Sequence, residues 1–327
     1  MKQHGIVRTG LRCSGLSIAL LAAAPAVAQD YPVKPIRILV GQSAGGATDI
    51  VARGLGQKLS EALGQPVVID NRGGAAGSIA AALVAKATPD GYTVLIVPGS
   101  FTINPSLYKD LPFDPQKDLA AVTLIATAPY VLMLHPAVAA KSVRELIALV
   151  KAKPKEIVYG SGGFGSSGHL AAELFSGMAG LSMNHVPYKG AGPALVDLLG
   201  GQLQLVFGSV VSSLPYHRNA RLRALALTSA QRIAMAQDLP TIAESGLPGY
   251  EFSSWFGMLA PAAAPNAVIA KLQAATAAAL RTPELNERLT REGSEPVGSP
   301  PEQFAAMVKA DIARWAVVVK RSGMKAE

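Results

Sequence analysis

The sequence has 327 residues, 50% of them hydrophobic, and a formal net charge of +8. This length suffices for two domains with separate cores, and the uncharged run Leu119–Leu134 is shorter than the ~20 residues of a membrane span. Lysines and arginines are scattered and form no block interleaved with aromatic residues. The charge therefore favours attraction of small anions over binding of nucleic acid.

Residues 1–28 have the pattern of a secretory signal peptide. A positively charged start is followed by an apolar run, Leu16–Ala24, and by small residues that end at Ala28. We expect cleavage near Ala28, before Gln29, and export of the mature chain to the periplasm. Cys13, the only cysteine, would be removed with this segment, so the mature chain is expected to have no disulfide and no cysteine metal site.

Strands alternate with helices in the first part of the mature chain. Ile36–Val40 is predicted to be a buried strand, and the helix Ile50–Leu63 follows it and ends at Gly64. Strands are also predicted at Val67–Ile69 and Thr93–Val97, with an alanine-rich helix between them. This order is typical of a doubly wound α/β layer, in which ligands bind at the carboxyl ends of the strands.

Two loops follow strands at that edge. In the first, Gly41–Asp49, we expect Thr48 or Asp49 to cap the helix, and Asp49 forms an i,i+4 pair with Arg53. For Asp49, ligand contact is the alternative to capping. The second loop, Ser100–Asn104, is either a simple turn or part of the ligand edge.

The remainder of the chain repeats the alternation. Capping boxes at Ser142–Glu145 and Thr241–Glu244 each predict the start of a helix. Further strands are predicted at Pro129–Leu134, Ile157–Tyr159, Asn184–Val186, Leu203–Phe207, Leu222–Leu227 and Trp255–Leu259. Helices start near Ala267, Thr282 and Ser299, and the last of them carries one apolar face, consistent with core packing, made of Phe304, Val308, Trp315 and Val319.

The most unusual backbone lies in GSGGFGSSGH, residues 160–169, between a predicted strand and a helix. Glycines let the main chain approach a ligand, and the helix start adds unpaired N–H groups and the positive end of a dipole. Such a place suits an anion. A second turn of the same kind, Tyr188–Pro193, joins the next strand to its helix. The alternative is a connection that binds nothing.

Two enzymatic interpretations compete with an anion-binding loop. Glycines 160, 162 and 165 fit G-x-G-x-x-G, but the next strand, Met183–Val186, lacks the acidic residue of a dinucleotide site. A hydrolase using Ser166 and His169 stays open, although no third group is evident; His169 could equally bond nearby backbone, and His185 is expected to be structural. No zinc or redox motif is present, so no metal and no cofactor are expected.

The order of elements predicts two discontinuous lobes. Three α/β units are followed by a second set and then by one strand and terminal helices, so the chain leaves its first lobe and returns. The predicted first lobe spans residues 29–127 and 256–327, and the second spans residues 128–255. The two glycine-rich loops would then face each other across a hinged cleft, a favoured place for ligands.

Taken in chain order, the motifs resemble those of the tripartite tricarboxylate transporter substrate-binding proteins, also called the Bug family of periplasmic solute receptors. They include YPVKPIRILV, IDNRGGAAGSIAA, YGSGGFGSSGHLAAELF and HVPYKGAGPALVDLLGG, and the resemblance covers essentially the whole mature chain. It implies a two-lobed α/β fold of the type II periplasmic binding proteins (Venus flytrap), each lobe a doubly wound, mainly parallel sheet. It also implies a monomer that binds a small carboxylate without turnover and delivers it to a membrane permease or a sensor kinase.

The resemblance further implies a set of ligand-binding residues that act through main-chain amides, hydroxyls and ordered waters. The corresponding positions are Gly45, Gly46, Ala47, Thr48, Asp49, Ser100, Phe101, Thr102, Asn104, Ser161, Gly162, Ser166, Ser167, His169, Lys189, Gly190, Ala191, Gly192 and Ser209. Two positions depart from the family pattern. Ser209 lies where members often carry an acidic residue, and Gln42-Ser43 replaces an aromatic or proline-containing pair. The carboxylate itself, whether a di- or tricarboxylate, an amino acid or an aromatic or cyclic acid, stays open.

Overall fold

The computed structural model describes residue 1 and residues 31–322, apart from positions 43, 75, 76 and 189. Residues 2–28 of the predicted signal peptide lie outside the described residues. Within the described part of the chain, no helix has both the length and the apolar character needed to cross a membrane.

Strands and helices alternate along most of the described chain. The strands are β1 (Ile36–Val40), β2 (Val67–Asn71), β3 (Thr93–Pro98), β4 (Leu119–Leu134), β5 (Val158–Ser161), β6 (Asn184–Pro187), β7 (Leu205–Ser209), β8 (Arg223–Leu227), β9 (Ser253–Pro261) and β10 (Glu295–Pro296). The helices are α1 (Ala47–Leu63), α2 (Ser78–Ala85), α3 (Asn104–Leu107), α4 (Val143–Ala152), α5 (Ser167–Ala179), α6 (Ala191–Leu199), α7 (Val210–Arg218), α8 (Asn266–Leu280), α9 (Pro283–Arg291) and α10 (Pro301–Ser322). A 3-10 helix, Gly99–Ile103, precedes α3.

The strands form two sheets, each with a parallel and an antiparallel part. In the first sheet β2, β1 and β3 run parallel, and β9, β4 and β10 continue it in antiparallel pairs. In the second sheet β6, β5 and β7 run parallel, and β4 pairs antiparallel with β7 and β8. The prediction of mainly parallel sheets thus holds for the α/β units. It fails for β4 and β9, which run antiparallel because one carries the chain out of the first sheet and the other brings it back.

Strand β4 belongs to both sheets. Its first part pairs with β9 as far as Pro129, and its last part pairs with β7 from Tyr130 onward. The sequence predicts a strand only from Pro129, whereas the structure continues it through the proline. Proline removes one ladder donor, and here the missing donor falls where the strand changes partner.

Helices cover both faces of each sheet, as a doubly wound fold requires. In β1, Ile38 belongs to the apolar cluster that includes α1 and α8, and the next residue, Leu39, belongs to the cluster that includes α2 and α10. In the second sheet, Leu132 of β4 packs with α4 and α5, and Met133 packs with α6 and α7. Alternating side chains thus anchor each strand from two sides and fix the position of the loops at its end.

The last helix, α10, contacts both cores. Its predicted apolar face is buried, with Phe304 and Val308 in the cluster of the first sheet and Trp315 and Val319 in a cluster of the second. The predicted lobe boundaries assign the whole of this helix to the first lobe, and the packing of its second half differs from that assignment. The lobe boundaries otherwise stay a prediction.

Local signals in the sequence predict some helix starts and not others. Ser142 caps α4 as predicted and accepts a hydrogen bond from the Glu145 N–H at 3.2 Å. Thr241 and Glu244 also exchange the two hydrogen bonds of a capping box, but the chain there forms turns. Gly246 and a proline at 248 follow too soon for a helix to continue.

Candidate ligand-binding cleft

A cavity of about 330 Å³ lies where β4 and β9 cross between the two sheets. The segments that follow β1, β3, β5, β6 and β7 supply most of its walls, together with the crossing strands. Ligands of α/β sheets bind at this edge because the loops there are held by rigid strands and are free to vary. The position of the cavity agrees with the ligand edge expected from the sequence.

Four helices begin at the cavity. Each of α1, α5, α6 and α7 contributes residues of its first turn to the lining, and these residues are Ala47, Thr48, Ser167, Gly168, Ala191, Ala194, Val210, Val211, Ser212 and Ser213. A helix start presents backbone N–H groups without intrahelical partners and carries a partial positive charge of about half an elementary charge. Four such starts around one cavity make it favourable for an anion.

The side chains of the lining are mostly neutral. Hydroxyls come from both sheets, and among the described residues Glu292 is the only charged side chain in the lining. Thr48 and Ser213 are fully buried, and the hydroxyl oxygen of each has no hydrogen-bond partner among the described residues. The same part of the chain contains no group of three or more His, Cys, Asp or Glu residues that could hold a metal ion.

The structure places about half of the sequence-predicted site residues in the cavity lining. Those that line it are Ala47, Thr48, Ser100, Ser161, Gly162, Ser166, Ser167, Gly190, Ala191 and Ser209. Those that are described but do not line it are Gly45, Gly46, Asp49, Phe101, Thr102, Asn104, His169 and Gly192. Lys189 lies outside the described residues.

Asp49 holds the first loop in place by hydrogen bonds on the side of the protein interior. Its buried carboxylate accepts hydrogen bonds from the Gly45 N–H at 2.8 Å, from Arg53 Nε at 3.0 Å and from Asn71 Nδ2 at 3.0 Å. Burial alone would raise the pKa of Asp49, but these hydrogen bonds outweigh burial and hold the pKa below its usual value. The predicted pair with Arg53 is therefore confirmed, whereas the predicted capping role is not.

The cap of α1 comes from a different residue. Gly46 is the N-cap, and Gln42 Oε1 accepts the Thr48 N–H at 2.9 Å. A Cβ atom at Gly46 would lie 2.6 Å from Gln42 Oε1. Glycine at position 46 thus leaves room for the Gln42 side chain to reach the helix start.

The edge loop contributes one residue to the cavity, Ser100. The loop forms the 3-10 helix Gly99–Ile103 and not a simple turn. Phe101 is buried and stacks on Phe113 with ring centroids 6.1 Å apart, and Thr102 donates its hydroxyl to the Gly99 carbonyl at 2.8 Å. Both side chains therefore hold the loop in place from the protein side.

Comparison with known proteins identifies the fold and the family. The family model of the tripartite tricarboxylate transporter family receptor matches residues 51–324. The chain belongs to this receptor family. The receptor is 38% identical to Protein BugT of Bordetella pertussis over 305 residues, which cover 93% of this chain and 94% of BugT.

Solved structures of similar receptors have the same fold. Rpa4515 of R. palustris, solved with adipate, has a TM-score of 0.77 and 39% identity and covers 91% of this receptor and 100% of that chain. MatC of Rhodopseudomonas palustris, solved with bound malate, has a TM-score of 0.74 and 32% identity and covers 88% and 100%. These matches confirm the predicted family and the periplasmic-binding-protein fold. They also confirm the prediction that the receptor binds and does not catalyse.

A buried pair of histidines lies beneath the glycine-rich loop of the receptor. His169 and His185 stack with ring centroids 4.0 Å apart, and His169 Nδ1 accepts the Gly165 N–H at 3.0 Å. Burial lowers the pKa of His169 to about 3, with a smaller contribution from His185, and burial lowers the pKa of His185 to about 4. Both rings are therefore neutral near pH 7. His169 bonds nearby backbone, one of the two alternatives that the sequence left open.

The Ser166–His169 side-chain contact that the alternative hydrolase interpretation requires is not formed. Ser166 Oγ accepts the main-chain N–H of His169, not its ring, because Ser166 is the N-cap of α5. The first loop also contains the G-x-S-x-G pattern at residues 41–45, and its Ser43 lies outside the described residues. None of the described residues that line the cavity is a histidine that could serve as its base.

Sequence reasoning missed the helix that begins at Ser209. The first turn of α7 brings Ser212 and Ser213 into the lining, and the crossing strands bring Tyr130 and Ser254. Ser209 is the N-cap of α7 and accepts the Ser212 N–H at 3.4 Å. The available signal for this helix was a serine that can act as an N-cap, followed by two buried apolar residues four positions apart, Val210 and Leu214. Pro215 inside the helix obscures this pattern.

Proposed function

We propose that this receptor is a periplasmic protein that binds a small carboxylate in the cleft cavity and delivers it to the permease of a tripartite tricarboxylate transporter. The observation that carries the proposal is the convergence of four helix N-termini on one cavity lined by hydroxyls. Partial positive charges and neutral donors suit the two oxygens of a carboxylate.

The size of the cavity supports a small ligand. Its volume of about 330 Å³ is near the lower end of the roughly 300–1,000 Å³ found for small-molecule sites. Two similar receptors were solved with adipate and with malate, which are both small dicarboxylates. A dicarboxylate is therefore the first class of ligand to test.

A thermal-shift screen tests this function. Purified mature protein is melted with adipate, malate, amino acids, aromatic acids and cyclic amides, and the diamides of adipate and malate and the amides of the aromatic acids serve as uncharged controls. A true ligand present at a hundredfold excess over its dissociation constant stabilises the fold by about 2.7 kcal/mol. Stabilisation by amides alone, or time-dependent conversion of a solute detected by mass spectrometry, would contradict a carboxylate receptor and favour a hydrolase.

Export is tested separately. If the signal peptide is cleaved near Ala28, the periplasmic protein should have the mass of a chain that begins at Gln29. Intact-mass measurement of the periplasmic fraction decides this, and a functional cytoplasmic protein that keeps residues 1–28 would contradict it.

A further inference from the structure

Ser161 has three polar neighbours for a single hydroxyl. It lies at the end of β5 and lines the cavity. Its Oγ is 2.7 Å from His185 Nε2, 3.2 Å from the Gly163 N–H nitrogen and 3.1 Å from the Gly163 carbonyl oxygen. The hydroxyl can donate one hydrogen bond and accept two. The role of Ser161 in binding therefore depends on which ring nitrogen of His185 carries the proton.

Only one tautomer of His185 satisfies all three contacts. If Nε2 carries the proton, Ser161 Oγ accepts from His185 and from the Gly163 N–H and donates to the Gly163 carbonyl. If Nδ1 carries the proton, the one hydrogen of Ser161 goes to His185, and the Gly163 carbonyl then faces an oxygen that has no hydrogen to give. The Nδ1 atom is also buried and makes no hydrogen bond with any described residue, so a proton there would be an unpaired buried donor.

Packing holds the His185 ring in this orientation. The ring stacks on Tyr159 with centroids 4.7 Å apart and on His169, and Phe164 meets it edge-on at 5.2 Å. We infer that His185 is a positioning residue: its Nε2–H and the Gly163 N–H fill both acceptor sites of Ser161, so that the hydroxyl can only donate. Its one hydrogen goes to the Gly163 carbonyl in the free protein and turns to an acceptor atom of the ligand, such as a carboxylate oxygen, when one is bound. The inference rests on the proposed function and defines the polarity of one contact in it.

The tautomer can be measured without any ligand. Two-bond nitrogen-proton spectra of the full mature protein, assigned with His185→Gln, give the protonated nitrogen of each histidine. We expect Nε2–H at His185, and Nε2–H also at His169, where Nδ1 accepts the Gly165 N–H. A proton on Nδ1 of His185 would overturn the inference whatever the receptor binds.

Affinity tests the consequence, with adipate as the probe and malate as the second probe. Ser161→Ala is expected to weaken binding about ten- to hundredfold, because the lost hydrogen bond is to a charged group. His185→Leu should weaken it to a similar extent, and the double variant should lose no more than Ser161→Ala alone. His185→Gln, which keeps a donor, should restore most of the affinity.

A matched control is Ser176→Ala on α5. The Ser176 hydroxyl is buried without a hydrogen-bond partner among the described residues, and Ser176 does not line the cleft. The affinity of this variant for adipate and malate should therefore be unchanged. Additive losses in the double variant, or a Gln variant as weak as the Leu variant, would overturn the inference. If His185→Leu fails to fold, the affinity of His185→Gln and the measured tautomer of His185 still test the inference. Failure of the wild type to bind either probe would count against the proposed function and leave the tautomer measurement as the test of the inference.

Discussion

Single residues at the cleft act mainly by placing other groups. Gly46 is an example, because its backbone φ of −76° is open to any residue, so the need for glycine does not come from backbone strain. The need comes from Gln42, whose Oε1 a Cβ at position 46 would meet at 2.6 Å. The glycine thus preserves the hydrogen bond that Gln42 accepts from the Thr48 N–H.

Gly46→Ala is therefore expected to behave like Gln42→Ala. Each should lower the free energy of unfolding by about 1 kcal/mol, the usual cost of losing a helix cap, and the double variant should lose no more than either one. Urea unfolding of the three variants measures this. A much larger loss in Gly46→Ala than in Gln42→Ala would show that something other than the cap requires glycine.

The histidine pair predicts how stability depends on pH. An unfolded histidine takes up its proton near about pH 6.5, whereas in the folded protein burial lowers the pKa of His169 to about 3 and of His185 to about 4. Between about pH 6.5 and about pH 4 the unfolded chain binds more protons, so the stability contributed by the neutral rings is full above this window and falls as the pH falls.

Urea unfolding from about pH 7 to about pH 4.5 checks the sign. The free energy of unfolding of the wild type should fall more steeply with acidification than that of His185→Gln. Burial raises the pKa of Glu173, which acts in the opposite direction, but Glu173 is present in both proteins and cancels in the comparison. Parallel curves for the two proteins would contradict the buried neutral state of His185.

At the scale of elements, the α/β units could be predicted from sequence and their ends could not. Runs such as Ile36–Val40 are apolar, apart from the exposed Arg37, because helices cover both faces of the strand, and that signal is local. Helix α1 begins three residues before the predicted Ile50, at Ala47, because its cap is a side chain from the preceding loop. Strand β4 extends ten residues before Pro129, because its ladder partner β9 is distant in sequence and supplies the hydrogen bonds.

Some features of the candidate site could likewise be predicted from sequence and others could not. Hydroxyls and glycines on loops that follow strands were predicted, since chain order places them at one edge. For Asp49 and His169 the sequence left ligand contact and a local role open. In the structure Asp49 accepts the Gly45 N–H and His169 accepts the Gly165 N–H, and the partners that hold them, Asn71 and His185, lie on the following strands. The serines of α7 were missed because a proline within a short helix hides its periodicity.

Two substitutions of Ser209 distinguish helix capping from ligand binding at the start of α7. Ser209→Ala should lower the free energy of unfolding by about 1 kcal/mol, whereas Ser209→Asp should not, because aspartate is a good N-cap and favours the helix dipole. The aspartate variant should nevertheless bind dicarboxylates more weakly, since it adds a negative charge to the cavity lining. Thermal melting and calorimetric titration of both variants measure the two effects. Unchanged affinity in Ser209→Asp would contradict the placement of the anion near this helix.

At the scale of the whole molecule, three segments connect the two sheets: β4, β9 and α10. Trp255 on β9 donates its ring N–H to Asp311 on α10 at 2.8 Å, and Trp315, four residues on, packs in the core of the second sheet. The cleft lies between these connections and the helix starts of both sheets. A ligand that contacts α1 on one side and α5, α6 and α7 on the other would therefore bridge the two sheets.

The central claim is that helix N-termini and neutral hydroxyls, not a basic side chain, bind the carboxylate. Thr48→Val tests this claim most directly, because Thr48 is a fully buried residue of the lining whose hydroxyl has no hydrogen-bond partner among the described residues. Removing an unpaired buried hydroxyl should leave the melting temperature of the free protein unchanged or raise it. The same change should weaken dicarboxylate binding about tenfold or more, because a hydrogen bond to a charged group is lost.

The measurement is a calorimetric titration of adipate and malate into wild type, Thr48→Val, Thr48→Ser and Lys189→Ala at low and high salt. We predict a large loss of affinity for Thr48→Val, near-normal affinity for Thr48→Ser and Lys189→Ala, and weak dependence on salt because the contacts are shielded from solvent. A loss confined to Lys189→Ala, with steep salt dependence, would contradict this prediction.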